Sequence, residues 1–209
     1  MIHGLVIEGL GLSRGVRRLF QGLSLNLRAG EAAMLSGANG VGKTSLLRAV
    51  AGLLRPDAGQ VMFHDTAGVA LEPEVARAEH LHLAGHHDGL KTQRRAAEEF
   101  GFWADWLGGA AQDRTAAIET FDLAPLLPLD VRVLSAGQRR RLALSRLRAA
   151  PRALWLLDEP LAPLDERWRR VMSVEMQAHL ARGGLILAAA HDPLPIPCRT
   201  IAVSGGGAG

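Results

Sequence analysis

Residues 37–44 read Gly37-Ala38-Asn39-Gly40-Val41-Gly42-Lys43-Thr44, which fits the pattern G-x-x-x-x-G-K-[ST]. An apolar run over residues 32–35 precedes this stretch, and apolar residues recur at helical spacing after it, so it joins a predicted strand to a predicted helix. Glycines let such a loop curl its backbone N–H groups around phosphate oxygens, and the helix N-terminus adds partial positive charge. We therefore expect residues 37–44 and the adjoining Ser45 to bind nucleotide phosphates. The alternative, a chance glycine-rich turn, does not account for the flanking strand and helix.

The side chains of this loop, together with an acidic pair further along, predict the chemistry. Lys43 is placed to reach the β- and γ-phosphates, and the Thr44 hydroxyl to ligate Mg²⁺. The apolar run 153–157 leads directly into Asp158 and Glu159, which puts both acids at the carboxyl edge of the predicted sheet, beside the phosphates. Asp158 would then hold the magnesium ion through its water shell, and Glu159 would act as the general base on the attacking water. The alternative is a solvated acidic turn.

The rest of the pattern predicts an α/β chain with a helical insertion. Residues 23–27 alternate leucine with polar residues, as in a half-buried strand, whereas residues 90–150 are mostly helical in pattern. Short apolar runs at 153–157 and 185–190 are typical of buried parallel strands. We expect a single domain over residues 1–209, with a core at about 1–87 and 151–204, a helical subdomain at about 88–150 and a flexible tail at 205–209.

Composition excludes several classes of protein. Hydrophobic residues make up 48% and charged residues 22% of the 209, which is typical of a globular chain rather than a disordered one. The longest apolar run, residues 185–190, is far shorter than the roughly 20 residues of a spanning helix. The N-terminus does not have the pattern of a secretion signal, and the single cysteine, Cys198, fits a reducing cytoplasm. A net charge of +3 gives no ground for predicting a nucleic-acid partner.

A second phosphate-binding element is suggested by Leu134-Ser135-Ala136-Gly137-Gln138. Ser135 and Gln138 have the spacing of a capping box, so the simplest interpretation is a well-capped helix that continues through residues 139–141. Alternatively, this helix N-terminus binds a γ-phosphate, because Gly137 allows close backbone approach. The arginines at 139–141 are expected to lie on a solvated helix face.

In their order along the chain, GANGVGKT, LSAGQ, LLDEP, Leu164-Asp165 and the single histidine after an apolar strand, His191, resemble the nucleotide-binding subunit of an ABC transporter. The resemblance spans nearly the whole chain. It implies the P-loop NTPase fold of an ABC-type nucleotide-binding domain, with a RecA-like core, an antiparallel β hairpin region and a helical insertion. It also implies an ATPase that uses ATP and Mg²⁺.

In that family, two copies sandwich two ATP molecules head to tail. The resemblance therefore implies a homodimer in which Ser135, Gly137 and Gln138 of one copy complete the ATP site of the other. It further implies that His191 contacts the γ-phosphate and helps to hold Glu159 and its water, and that Asp165 lies at the dimer contact.

Two positions depart from the family pattern. The aromatic residue that normally stacks on adenine is replaced by Arg14, in a chain that has no tyrosine. A guanidinium can stack on a planar ring, so Arg14 is the expected adenine contact, with Phe20 as the alternative. The glutamine that normally senses magnesium and touches the membrane subunit is replaced by His87, although an imidazole is a poorer magnesium ligand than an amide oxygen.

Within the ABC family, the chain is most similar to the ATP-binding subunits of cytochrome c maturation, often described as haem exporters. The residues that carry this similarity are GHHDGLKT at 85–92, Phe100-Gly101-Phe102-Trp103, and LSAGQRRRLALSRL followed by LWLLDEP. The similarity implies a peripheral ATPase at the cytoplasmic face of the bacterial inner membrane, paired with an integral membrane permease subunit. It would use ATP in haem delivery and in release of the haem chaperone, with no nucleic acid as partner.

Other functions stay open at this point. An ABC exporter of lipoprotein or a small peptide would share the fold and the ATPase chemistry. A soluble ABC ATPase acting on nucleic acid is less compatible, because such proteins insert long coiled coils or carry two cassettes, whereas Thr44 and Leu134 are 90 positions apart. A small-molecule kinase would leave LSAGQ, Glu159 and His191 without roles.

Four histidines invite a haem- or metal-site hypothesis: His80, His82, His86 and His87. We expect His80 and His82 to share one strand face. Because neither cysteines nor clustered carboxylates accompany them, a structural role is the better interpretation.

Overall fold

Two β-sheets and the helices around them make up the chain, of which the computed structural model describes residues 1–205. The strands are β1 Gly4–Arg14, β2 Arg17–Arg28, β3 Ala32–Ser36, β4 Ala58–His64, β5 Ala70–Leu71, β6 Leu81–Ala84, β7 Leu154–Asp158, β8 Leu185–Ala189 and β9 Arg199–Ala202. The helices are α1 Lys43–Val50, α2 Pro73–His80, α3 Ala96–Trp106, α4 Ala111–Thr120, α5 Ala136–Leu144, α6 Arg146–Ala149 and α7 Glu166–Ala181, with a 3₁₀ turn at Val131–Val133. Within the described residues, no helix is long and apolar enough to span a membrane.

The first sheet is antiparallel and is built around the N-terminal hairpin. Its strand order is β2-β1-β4-β5, and β1 pairs with β2 from Gly4 opposite Arg28 to Arg14 opposite Arg17. Gly15, with φ of 61°, makes the tight turn between the two strands. The predicted antiparallel hairpin region is confirmed, although the residue pattern itself indicated only the β2 strand.

The second sheet is parallel, and it positions the loops that carry the motifs. Its order is β6-β7-β8-β3-β9, so β3 lies between two strands from the far end of the chain. The strands predicted at 32–35, 153–157 and 185–190 are confirmed as β3, β7 and β8. Because the strands are parallel, the loops that follow β3, β6, β7 and β8 all leave from the same edge of the sheet.

The parallel sheet is covered on both faces, which explains its apolar strands. Alternate residues of β7 enter two different cores: Leu154 and Leu156 pack in the cluster shared with α1 and the antiparallel sheet. Trp155 and Leu157 pack in the cluster shared with α7 and the helices that follow β6. Burial of both faces accounts for a continuous apolar run in place of an alternating one.

Between β6 and β7 the described chain is mostly helical, as the sequence predicts, with α3 and α4 separated at Gly108–Gly109. The predicted tail falls outside the described residues apart from Gly205.

Candidate nucleotide site

The loop between β3 and α1 presents a helix N-terminus. The first intrahelical bond runs from the Leu46 N–H to Gly42 O at 2.8 Å, so the amides of Lys43, Thr44 and Ser45 precede it. Gly42 has φ of 114°, and a Cβ there would lie 3.0 Å from the ring of Phe20. The backbone at this point therefore requires glycine. The start of α1 has the free N–H groups and the positive dipole end that suit an anion.

The first glycine of the loop lies against the end of β9. Gly37 has φ of 145°, and a Cβ on it would lie 2.6 Å from Val203 O. The Val203 N–H donates to Ser36 O at 2.8 Å, which fixes this close approach. Lys43 Nζ donates to Gly37 O at 2.6 Å, so the lysine side chain lies across its own loop.

A cavity of about 760 Å³ opens beside the loop and collects most of the predicted site residues. The predicted residues that line it are Arg14, Asn39, Gly40, Gly42, Lys43, Thr44, Ser45, His87, Asp158, Glu159 and His191. Of the other predicted loop residues, Gly37 and Ala38 accept hydrogen bonds from Lys43 through their carbonyls, and Val41 is buried in the core. At 760 Å³ the cavity lies within the range of small-molecule sites.

Thr44 and Asp158 meet at the floor of the cavity. The Thr44 hydroxyl donates to Asp158 Oδ2 at 2.9 Å, although the two residues are 114 positions apart. Asp158 is 4% exposed and is the last residue of β7. A hydroxyl and a carboxylate in contact form an oxygen donor set, which fits the ligand preference of Mg²⁺.

Glu159 occupies an unusual backbone conformation. Its φ is +48°, a value that residues with a side chain rarely adopt, and its N–H donates to Ala189 O at 2.8 Å. His191 Nε2 lies 3.7 Å from Glu159 Oε1, so the acid and the histidine after β8 face each other in the cavity. Backbone strain of this kind concentrates at functional sites.

The sequence reasoning missed several residues of this cavity, of which His86 is the most informative. It lines the cavity beside His87, and the two rings meet edge to face with centroids 5.4 Å apart. The comparison with the family motif assigned only His87 to the position of the glutamine, whereas both histidines line the cavity. Arg48 and Leu54, which follow the phosphate loop, also line the cavity, and they belong to no motif of the sequence.

Ser135, Gly137 and Gln138 of the LSAGQ segment do not line this cavity. The predicted capping box is confirmed: the Gln138 N–H donates to Ser135 Oγ at 3.2 Å, and the Ser135 N–H donates to Gln138 Oε1 at 2.8 Å. Ser135, Gly137 and Gln138 are thus preorganised at a helix N-terminus, outside their own chain's cavity. Asp165 caps α7 by accepting from the Trp168 N–H at 3.0 Å.

Three expectations from the sequence are wrong. Phe20, the alternative adenine contact, is 2% exposed and packs beneath the phosphate loop. His80 and His82 do not share a strand face, because His80 ends α2 whereas His82 lies in β6 with its ring bonded to Ala150 O at 2.6 Å. Burial lowers the pKa of His82 to about 3, so it is a neutral core residue.

The third error concerns two of the three arginines after LSAGQ, Arg140 and Arg141, which do not lie on a solvated face, whereas Arg139 is half-buried. Arg140 and Arg141 are both buried. The Arg141 guanidinium packs 4.0 Å from the ring centroid of Trp168, and Arg140 is fully engaged in hydrogen bonds. The spacing of residues along a helix cannot predict that a loop distant in the sequence covers these arginines.

Comparison with known proteins gives the class. A family model described as "ABC transporter" matches residues 20–162, the segment from β2 to just past Glu159, and the chain belongs to that family. It is an ATP-binding domain with ATPase activity. The fold is shared with a putative ABC transporter ATP-binding protein from Pyrococcus furiosus, at a TM-score of 0.79 and 18% identity over 96% of this chain and 97% of that one.

Within the family, the chain is similar over nearly its whole length to proteins called cytochrome c biogenesis ATP-binding export protein CcmA. It is 46% identical to the protein from Rhodopseudomonas palustris (strain BisB5), over 94% of this chain and 96% of that one. It is 43% identical to the protein from Agrobacterium fabrum (strain C58), over 91% of this chain and 90% of that one. The protein from Bradyrhizobium diazoefficiens (strain USDA 110) is also 43% identical, over 92% and 94% respectively.

Proposed function

We propose that this protein is the ATP-hydrolysing subunit of a membrane export complex for c-type cytochrome biogenesis, acting in haem delivery and release of the haem chaperone. The observation that carries the ATPase part is the convergence of Thr44, Asp158, Glu159 and His191 on the cavity beside the phosphate loop. The similarity to CcmA proteins over more than nine-tenths of both chains supports the cytochrome c assignment.

ATP is proposed to bind with its phosphates on the loop 37–45 and its base towards Arg14. The amides at the start of α1 donate to the phosphate oxygens, and Lys43 Nζ exchanges its bond to Gly37 O for the β- and γ-phosphates. Arg14 lines the same cavity, so its guanidinium is proposed to stack on adenine.

Thr44 and Asp158 are proposed to hold Mg²⁺, with His87 in the place of the family's glutamine. The Thr44 hydroxyl would ligate the ion, and the buried Asp158 carboxylate would hold it through its water shell. When bound, the ion would neutralise charge on the β- and γ-phosphates. His87 lines the cavity, which supports the proposal that it contacts the phosphate side of the site.

Hydrolysis is proposed to use the Glu159–His191 pair. Glu159 accepts a proton from a water molecule as the oxygen of that water attacks the γ-phosphorus, and ADP leaves with the electron pair of the broken P–O bond. His191, 3.7 Å from the carboxylate, is proposed to contact the γ-phosphate and to hold Glu159 in line.

A homodimer is proposed because the LSAGQ residues lie outside their own chain's cavity. Ser135, Gly137 and Gln138 form a capped helix N-terminus, which suits a γ-phosphate of a second copy. In such a head-to-tail pair, each ATP contacts the loop 37–45 of one copy and the LSAGQ segment of the other. Asp165 is proposed to lie at this contact.

The proposed partners are an integral membrane permease subunit and, indirectly, the haem chaperone machinery, without nucleic acid. The proposed location is the cytoplasmic face of the bacterial inner membrane, with this subunit peripheral. The similarity to export proteins of cytochrome c biogenesis supports both proposals.

Glu159→Gln tests the chemistry. The amide keeps the shape of the side chain but cannot accept the proton, so turnover is expected to fall about 10²- to 10⁴-fold while ATP stays bound. Phosphate release and binding of a fluorescent ATP analogue measure the two quantities separately. A variant that hydrolyses ATP at the wild-type rate would remove Glu159 from the role of general base.

A pull-down from solubilised membranes tests the complex, with the bound proteins identified and the gel stained for haem. Recovery with a small permease and the haem chaperone machinery is the expected result. Recovery with an unrelated permease would indicate an exporter with a different cargo. Recovery with nucleic acid and no membrane protein would overturn the transport assignment.

A further inference from the structure

Arg140 is a buried arginine of α5, and its guanidinium donates hydrogen bonds to the turn that carries Glu159. It is 2% exposed and lies two positions after Gln138. Its Nη2 donates to Asp158 O at 2.9 Å and to Glu159 O at 3.0 Å, and its Nε donates to Pro160 O at 3.2 Å. Three consecutive carbonyls of the turn therefore converge on one side chain.

The other end of the same guanidinium binds the loop after β6. Nη1 donates to Gly85 O at 2.8 Å and to Asp88 Oδ1 at 3.0 Å. A guanidinium has five N–H donors in a fixed plane, and these five bonds account for all of them. The loop it binds contains His86 and His87, which line the nucleotide cavity.

The carboxylate turn requires such support. Glu159 has φ of +48°, which disfavours any residue with a Cβ, and the preceding Asp158 must stay in register with Thr44. The bond from the Glu159 N–H to Ala189 O restrains one side of the peptide, and Arg140 restrains the carbonyl side. A flexible turn would let the Glu159 carboxylate drift, and a displacement of about 1 Å at a reacting group costs on the order of 100-fold in rate.

We propose that Arg140 is a positioning residue of the ATPase reaction: it fixes the main chain of residues 158–160 so that the Glu159 carboxylate faces the attacking water, and it ties this turn to the 85–88 loop. The inference rests on the proposed role of Glu159 as general base. Arg140 lies on α5, the helix that Ser135 caps, so its side chain connects this helix to the 158–160 turn and to the 85–88 loop.

Arg140→Lys tests the proposal, with Arg141→Lys as the matched control. Lysine keeps the charge but has three donors on one atom, so it cannot bind three carbonyls and the 85–88 loop together. Arg141 is the next residue of the same helix and is also buried, but it packs on Trp168 and does not bond the turn. We expect kcat to fall at least about tenfold in Arg140→Lys, with the Kd for ATP within about twofold of wild type. Arg141→Lys should keep kcat within about twofold.

Chemical rescue separates positioning from a general loss of stability. Arg140→Ala leaves a guanidinium-sized space, so millimolar methylguanidinium should restore several-fold activity to this variant and none to Arg141→Ala. Normal kcat in Arg140→Lys would overturn the proposal. Equal losses of kcat in the two lysine variants would overturn it too, as would the absence of rescue.

A double variant distinguishes this inference from the function on which it rests. If Arg140 acts through Glu159, adding Arg140→Lys to Glu159→Gln causes no further loss of turnover. If the two residues act independently, the fold-losses of the two single variants multiply in the double variant. Wild-type turnover in Glu159→Gln alone would defeat the proposed general base itself, whatever Arg140 does. An inactive Glu159→Gln beside a fully active Arg140→Lys would defeat only the present inference.

Asp88→Ala gives a second test, should the Arg140 variants not fold, because alanine has no side-chain oxygen to accept from Arg140 Nη1, whereas asparagine would keep one. It removes the only carboxylate bonded to the guanidinium within the described residues, at a side chain that is 22% exposed. We expect a loss of about threefold in kcat with unchanged ATP affinity, and unchanged kcat would contradict the link between the two loops.

Discussion

Gly37→Ala is expected to destabilise the fold more than Gly40→Ala, although both add one methyl group to the same loop. Gly40 has φ of 76°, and a Cβ there would meet nothing within 4 Å. Its substitution therefore carries mainly the backbone cost of a left-handed alanine, about 1–2 kcal/mol. The Gly40 variant serves as the control for backbone strain.

At Gly37, an alanine would have both an unfavourable φ and a steric clash. Its φ of 145° is disfavoured for any L side chain, and its Cβ would lie 2.6 Å from Val203 O, a backbone atom that cannot swing aside. Forcing a methyl group into a packed site costs typically about 1–3 kcal/mol beyond the strain. We expect Gly37→Ala to lose about 2 kcal/mol more than Gly40→Ala, or about 4–8 °C in Tm for a chain of this size.

Urea unfolding followed by tryptophan fluorescence, with both variants at one protein concentration, measures the difference. Equal free energies of unfolding in the two variants would refute the argument that β9 restricts the loop. A Gly37 variant as stable as wild type would refute it more strongly.

Three further predictions concern other parts of the chain. Lys43→Ala should weaken ATP binding about 10- to 100-fold, because charge-assisted bonds to phosphate are lost; unchanged affinity in a fluorescent-ATP titration would count against the loop. Ser135→Ala should lower the free energy of unfolding by about 1 kcal/mol through loss of the cap, and an unchanged urea midpoint would contradict this. Because burial lowers the pKa of His82 from 6.5 to about 3, the unfolded chain binds a proton in that window that the folded chain does not. Stability should therefore fall as pH drops below about 6.5, by up to about 1.4 kcal/mol per pH unit, and His82→Gln should reduce that slope in urea titrations at several pH values.

The sequence predicted those parts of the site whose residues lie close together along the chain. The loop 37–44 has its glycines, lysine and threonine at fixed spacing because one strand–loop–helix unit sets the geometry. The Ser135–Gln138 capping box was predictable for the same reason, since its two bonds span three positions. Asp158 and Glu159 could be placed because an apolar strand ending in an acid defines a sheet edge.

What could not be predicted depends on contacts between distant segments. Arg140 is buried because loops 18–20 and 52–55 positions away provide its acceptors, and no local periodicity encodes them. Phe20 belongs to a hairpin whose tip reaches the cavity, yet its own ring turns beneath the loop. His80 and His82 were separated by a helix end that a two-residue spacing does not reveal.

The position of β3 also dictates when during synthesis the nucleotide loop can form. β3 and the loop are encoded within the first quarter of the chain, yet β3 is flanked in the sheet by β8 and β9, and Gly37 rests on Val203. A nascent chain that has been synthesised only as far as α1 contains neither β8 nor β9. The phosphate loop then has no strand to pack against. Pairings this distant in sequence form late in folding. We therefore expect the loop to take the shape that binds ATP only after β9 has been synthesised and has paired with β3.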